Sequence, residues 1–135
     1  MTAMFTDILT CLVSTTHALK MSHWSATGRG SHAYHANSAE LADSLFEQTD
    51  TLIEALLSIT SYKHALNDVV IQFPPVKFGS EDAGRELAVT QVRMLQKEMR
   101  KLDQWDDLAT RSEILNIRDE ILASIDKFLY KLRFE

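Results

Sequence analysis

Apolar residues recur at steps of three and four between residues 3 and 26. Phe5, Ile8, Leu9, Leu12 and Leu19, with Thr16 among them, therefore share one face of a first helix. Gly28 and Gly30 give the backbone freedom for a tight reversal, and Ser31 is placed to accept a hydrogen bond from the first free N–H groups of a second helix. The stripe Leu41, Leu45, Leu52, Leu56 and Ile59 carries that helix to about residue 60. At 1.5 Å per residue it is roughly 45 Å long.

The pattern then breaks. From about residue 62 to 79 the chain reads "YKHALNDVVIQFPPVKFG", and Pro74-Pro75 forbids a continuous helix. A structureless link of about 20 residues would be unusual, so a short helical piece is expected over "HALNDVV". Ser80, followed by Glu81 and Asp82, has the chemistry to cap a third helix, which runs to about 102 through Leu87, Val89, Val92, Leu95 and Met99. Thr110 with Glu113 has capping-box spacing and opens a fourth helix striped by Ile114, Leu115, Ile121, Leu122, Ile125, Phe128, Leu129 and Leu132. Short links imply antiparallel pairs, and the long second link can cross a bundle. The expected fold is all-α: a ferritin-like four-helix bundle with one long crossover between helices two and three, in a single domain over 1–135.

Composition agrees with helices: four glycines and two prolines are few for 135 residues, and the 45% hydrophobic content suffices for one core. The net charge of −5 argues against a general electrostatic grip on nucleic acid and favours cations as partners. Cys11 is the only cysteine, which excludes an intrachain disulfide and a Cys-rich zinc site and suits a reducing compartment. With no basic leader pattern and no apolar run of membrane-spanning length, a cytoplasmic protein is expected.

Chemistry concentrates on helix two and the turn before it. Asp43, Glu47, Asp50 and Glu54 fall together on the side opposite the Leu41/Leu45/Leu52/Leu56 stripe. His35 lies at the edge of that arc, beside an apolar strip of Ala42, Phe46, Ile53 and Leu57 that a lone bundle would leave partly uncovered. His23 sits near the end of helix one on its core face. Each group has a plain reading, a hydrogen-bonded core-edge histidine and a solvated acidic face, beside the reading as metal ligands. No Glu is followed three residues later by His, so the two-metal site that some ferritin-like bundles carry inside one subunit is absent.

The phrase "KMSHWSATG" resembles the Lys-x-x-His-Trp-x-x-x-Gly signature of the Dps miniferritins, ferritin-like proteins that assemble as hollow dodecamers. His35, Asp50 and Glu54 stand 12, 27 and 31 residues after His23, the offsets of that family's ferroxidase ligands, and "IDKFLYKL" is similar to its closing helix, so the likeness spans nearly the whole chain. The resemblance implies metal sites at twofold interfaces, with His23 and His35 from one subunit and Asp50 and Glu54 from the other. Lys20 and Trp24 would support the interface. His17, His32 and His64 have no counterpart in the motif and are expected at the surface or in packing.

Ala39 departs from the pattern, because the family usually presents an Asp four residues after the second histidine. Glu40 and Glu47 are nearby substitutes, with Glu40 rotated by one helical position. Such donors bind Fe2+, Mn2+ or Zn2+. The resemblance implies Fe2+ oxidation to Fe3+, with hydrogen peroxide as preferred oxidant, and storage as mineral in the cavity. Iron would pass acidic pores, for which Asp103, Asp106 and Asp107 are candidates. Many members coat DNA through a lysine-rich extension; none is seen here, so DNA binding is not expected. Two other readings stay open: a Dps-like shell whose metal site has decayed, and a monomeric four-helix binding module.

Overall fold

The computed structural model describes residues 2–26, 31–59, 62–79, 82–104 and 112–134. Four α-helices account for most of them: α1 (Thr2–Ser25), α2 (Ser31–Ile59), α3 (Ala83–Arg100) and α4 (Ser112–Leu132). Two 3₁₀ segments, Tyr62–Asp68 and Lys101–Gln104, complete the order, and no strand occurs among the described residues. No described helix is long and apolar enough to cross a membrane.

The helices form where the apolar spacing places them. α1 and α2 contain neither glycine nor proline, and their hydroxyl residues satisfy themselves along the helix: Thr16 Oγ1 donates to Leu12 O at 2.9 Å and Ser38 Oγ to Tyr34 O at 2.8 Å. Gly28 and Gly30 lie outside the described residues. So do Ser80, Glu81 and Thr110, on which the expected caps of α3 and α4 rested. α3 begins at Ala83, two residues later than a cap at Ser80 would imply. Asp82 precedes it with a helical backbone (φ −94°, ψ −11°) and makes no side-chain cap, while its carbonyl accepts the Glu86 N–H at 2.8 Å.

α1 packs against α2 and α3, α2 packs against α4, and α3 meets α4. The contacts fix the directions. Thr15 Oγ1 on α1 donates to Gln91 O on α3, and Gly84 at the start of α3 lies against Ser22 and Ser25 at the end of α1. On the other side Gln48 Nε2 donates to Ser124 Oγ at 3.0 Å, and Glu40 binds Lys127 and Lys131 further along α4. Both pairs are antiparallel.

Ile8, Leu12, Leu19, Leu45, Leu52, Leu95, Met99, Leu102, Ile114 and Ile121 are fully buried in one shared core. Each contributes about 1.5–3 kcal/mol relative to exposure. Arg118 is buried at its edge, where its charge is held by Asp103 (2.5 Å) and Asp119 (2.8 Å). Burial disfavours the guanidinium, and the two carboxylates more than offset it, so its proton is held more tightly than usual.

The connection from α2 to α3 lies along α1. Thr6 Oγ1 donates to Ala65 O at 2.9 Å, Thr10 Oγ1 accepts the Val70 N–H at 3.4 Å, and Ser14 Oγ both accepts the Gln72 N–H at 2.9 Å and donates to Val70 O at 3.4 Å. The short helical piece expected over "HALNDVV" is the 3₁₀ segment, displaced slightly toward the N-terminus.

Candidate metal centre

α1 ends and α2 begins side by side, and this brings His23 and His35 together. Their rings stack with centroids 3.7 Å apart and planes 24° from parallel. His23 Nδ1 lies 2.7 Å from His35 O, and His35 Nδ1 lies 2.9 Å from His23 O. A carbonyl oxygen only accepts, so each Nδ1 carries the proton and donates it across the helix pair. Both Nε2 atoms are left as lone-pair donors, the arrangement in which a backbone carbonyl orients a metal-ligating imidazole.

The residues next to them reinforce the junction. The hydroxyls of Ser22 and Tyr34 are hydrogen-bonded to each other, both residues being buried. The Arg85 guanidinium of α3 sits over the Tyr34 ring, 4.8 Å from its centroid. Tyr34 stands seven residues before Leu41 and so continues the leucine stripe of α2 toward the N-terminus, where it joins the core. Ser22 and Tyr34 are separated by the same 12 residues as His23 and His35. Trp24, beside His23, is 73% exposed.

Asp43, Glu47, Asp50 and Glu54 are all exposed on α2, as the helical plot expects. Asp43 is paired with Lys20 Nζ at 3.2 Å. Asp50 and Glu54 are one turn apart, but along the axis they stand about 22 and 28 Å from His35. One chain therefore cannot bring these carboxylates to its own imidazoles. Among the described residues no three His, Cys, Asp or Glu side chains come together to hold a metal ion.

The apolar strip beside the acidic arc is narrower than its sequence suggests. Ala42 is fully buried, because its small side chain lies in the α1/α2 seam, and Ile53 is half-buried. Phe46 is 72% exposed, and Leu57 is exposed beyond it.

Ala39, one turn after His35, is half-buried. Glu40, a candidate to replace the missing carboxylate, is committed elsewhere: Lys127 and Lys131 of α4 bind its two oxygens at 3.1 and 3.0 Å. The hydrogen bond from Lys131, with that from Lys127, holds its carboxyl below the usual glutamate range. Glu47 has no such commitment among its described contacts. Asp103, a candidate pore residue, is taken up by Arg118; Asp106 and Asp107 lie outside the described residues. His17, His32 and His64 are exposed, with His17 Nδ1 donating to Val13 O at 2.8 Å.

Cys11 is buried on α1, its Sγ 3.9 Å from Thr15 Oγ1. Burial pushes its thiol up from the usual 9.0 to about 11, against the opposing hydrogen bond to Thr15. It is an inert core residue rather than a ligand. The chain matches no protein-family model, and neither the curated proteins nor the solved structures contain a significant match.

Proposed function

We propose that this chain is one subunit of a Dps-like miniferritin of the cytoplasm, its four helices joined ferritin-fashion by a crossover between α2 and α3. Copies assemble as a hollow dodecamer that oxidises Fe2+ at sites shared between two subunits and keeps the ferric product as mineral. The antiparallel pairs and the hydroxyl contacts of residues 65–72 along α1 support that topology.

One observation carries the functional reading. His23 and His35 are clasped so that both Nε2 atoms remain available, while Asp50 and Glu54 stand exposed too far along α2 to join them. A second copy turned end for end supplies to each pair what its own chain withholds. The substrate Fe2+ is then bound by Nε2 of His23 and His35 from one copy and by Asp50 and Glu54 from the other. The carboxylates favour Fe3+ over Fe2+ and so ease loss of the electron. Hydrogen peroxide accepts two electrons and leaves as water, so two ferrous ions are consumed per peroxide. Zn2+ and Mn2+ suit the same donors and act as competitors.

Ferrous oxidation with peroxide, followed by absorbance on the purified assembly, tests this. Asp50→Ala/Glu54→Ala lowers the rate more than about tenfold, since even outer partners of metal ligands are worth 10- to 100-fold. His23→Ala/His35→Ala does the same. Co-assembling the two double variants restores activity in about a quarter of the sites, because each mixed pair contains one intact site and one doubly broken site. Rates in the Asp50/Glu54 variant equal to those of the unaltered protein defeat the proposal.

A second reading is favoured by Ala39 and by the engagement of Glu40 with two lysines: a Dps-like shell whose metal site no longer turns over. Assembly without ferrous oxidation is its signature.

A further inference from the structure

Phe46 stands 72% exposed on α2, a large apolar side chain with water on most of its surface. It forms the ridge between two hollows in the α1/α2 face. One hollow, about 380 Å³, is bordered by Thr16, His17, Lys20, Ala42 and Asp43. The other, about 240 Å³, is bordered by Val13, Thr49, Asp50 and Ile53. A knob and a hole on one face are what a self-complementary contact between identical copies needs.

The ligand register decides which hole receives the knob. If His35 of one copy and Asp50 and Glu54 of another are to reach one ion, the two α2 helices run antiparallel about a twofold axis. That axis crosses α2 midway between residue 35 and residues 50–54, close to Asp43 and Ser44. Phe46 then lies about 4 Å along the helix from the axis. It faces residues 40–43 of the other copy, where the larger hollow opens over Ala42 and Asp43. A cavity of about 150 Å³ is enough to hold benzene, so the hollow admits a phenyl ring. The Lys20–Asp43 ion pair gives it a polar rim, and the fully buried Ala42 an apolar floor. The ligand spacing sets the operator, and the surface offers a hollow where that operator places Phe46.

We propose that Phe46 anchors the contact between two copies by seating in the Ala42/Asp43 hollow of the other, twice per pair, and thereby sets the register in which the shared metal site is completed. This rests on the shared-site reading above. The aromatic ring is the central anchor and the Lys20–Asp43 rim excludes water around it. Phe46 is a positioning residue, since it touches neither iron nor oxidant.

The experiment measures the solution mass of Phe46→Glu and Phe46→Leu at micromolar concentration, with circular dichroism as a check on folding. Phe46→Glu keeps its helix content and falls at least twofold in mass, toward the 15.3 kDa single chain, whereas Phe46→Leu stays associated. Register is read directly by a short bis-maleimide: Asp43→Cys gives a covalent pair in high yield, and Ser58→Cys, at the far end of α2, does not. Association of Phe46→Glu equal to that of the unaltered chain, or crosslinking through position 58 and not 43, overturns the inference. If Phe46→Glu stays assembled while oxidation still depends on Asp50 and Glu54, the anchor fails and the shared site stands. If Phe46→Glu dissociates while Asp50→Ala/Glu54→Ala oxidises iron normally, the anchor stands and the metal reading fails.

Discussion

His23 and His35 hold each other: each Nδ1 donates to the other's backbone carbonyl, and the rings lie face to face 3.7 Å apart. The same side chains that offer Nε2 outward therefore tie the end of α1 to the start of α2. Replacing either by Ala removes one hydrogen bond and the whole stack, a loss of about 1–2 kcal/mol. In thermal melts the two single variants and the double variant show a coupling of about 0.5–1.5 kcal/mol, because the second substitution has less left to break. Additive losses refute the contribution of the stacked rings.

Gly84 lets the start of α3 come close to the end of α1. A Cβ there meets Ser25 Oγ at 2.5 Å and the Ser22 Cα at 3.2 Å. The hydroxyl can swing away, but the backbone cannot. Gly84→Ala is expected to destabilise by about 1–3 kcal/mol despite the better helix propensity of Ala. Ser25→Ala in the same chain recovers only part of the loss, as chemical denaturation will show.

Cys11 makes alkaline stability pH-dependent. Its folded value of about 11 exceeds the ordinary 9.0, so above pH 9 the unfolded chain loses a proton that the folded chain keeps. Stability is complete below pH 9 and declines as the pH rises toward 11, by about 2–3 kcal/mol in all. Cys11→Ala flattens this limb of the denaturation curve. At pH 8 the native thiol carries about a hundredfold less thiolate than a free cysteine, and a colorimetric thiol reagent reports correspondingly slow labelling.

Glu40 acts at the acid end with the opposite sign. Its carboxyl is held below the ordinary 4.5, so its contribution is complete above that value and fades as the pH falls through the lowered one. All three side chains of the cluster are substantially exposed, so Glu40→Gln costs below about 0.5 kcal/mol near neutrality, and salt removes the difference. A dependence that persists in molar salt contradicts this account.

How much of this was legible beforehand follows from range. The stripes Leu41/Leu45/Leu52 and Ile114/Ile121/Ile125 report a local period, and α2 and α4 lie where those stripes put them. Ser80 lies outside the described residues, and the close approach of Gly84 to Ser22 just inside α3 is a packing relation that no local pattern contains. The strip Ala42/Phe46/Ile53/Leu57 is partly uncovered, as its angle on the helix implies, but which member is covered is set by packing: Ala42 is buried and Phe46 is not. The histidines and carboxylates were legible as residue types at a spacing. Their separation along α2, the reciprocal Nδ1 bonds and the capture of Glu40 by Lys127 and Lys131 are tertiary facts that no spacing contains.

The hydroxyls of Thr6, Thr10 and Ser14 grip the backbone of residues 65–72 at intervals of one helical turn. Most surface connections accept an added residue at small cost. This one is indexed like a toothed rack: a single insertion between Ala65 and Gln72 shifts every later tooth out of its socket. Natural variation in length is thereby steered to the far side of Pro74-Pro75, where no such grip was found among the described residues.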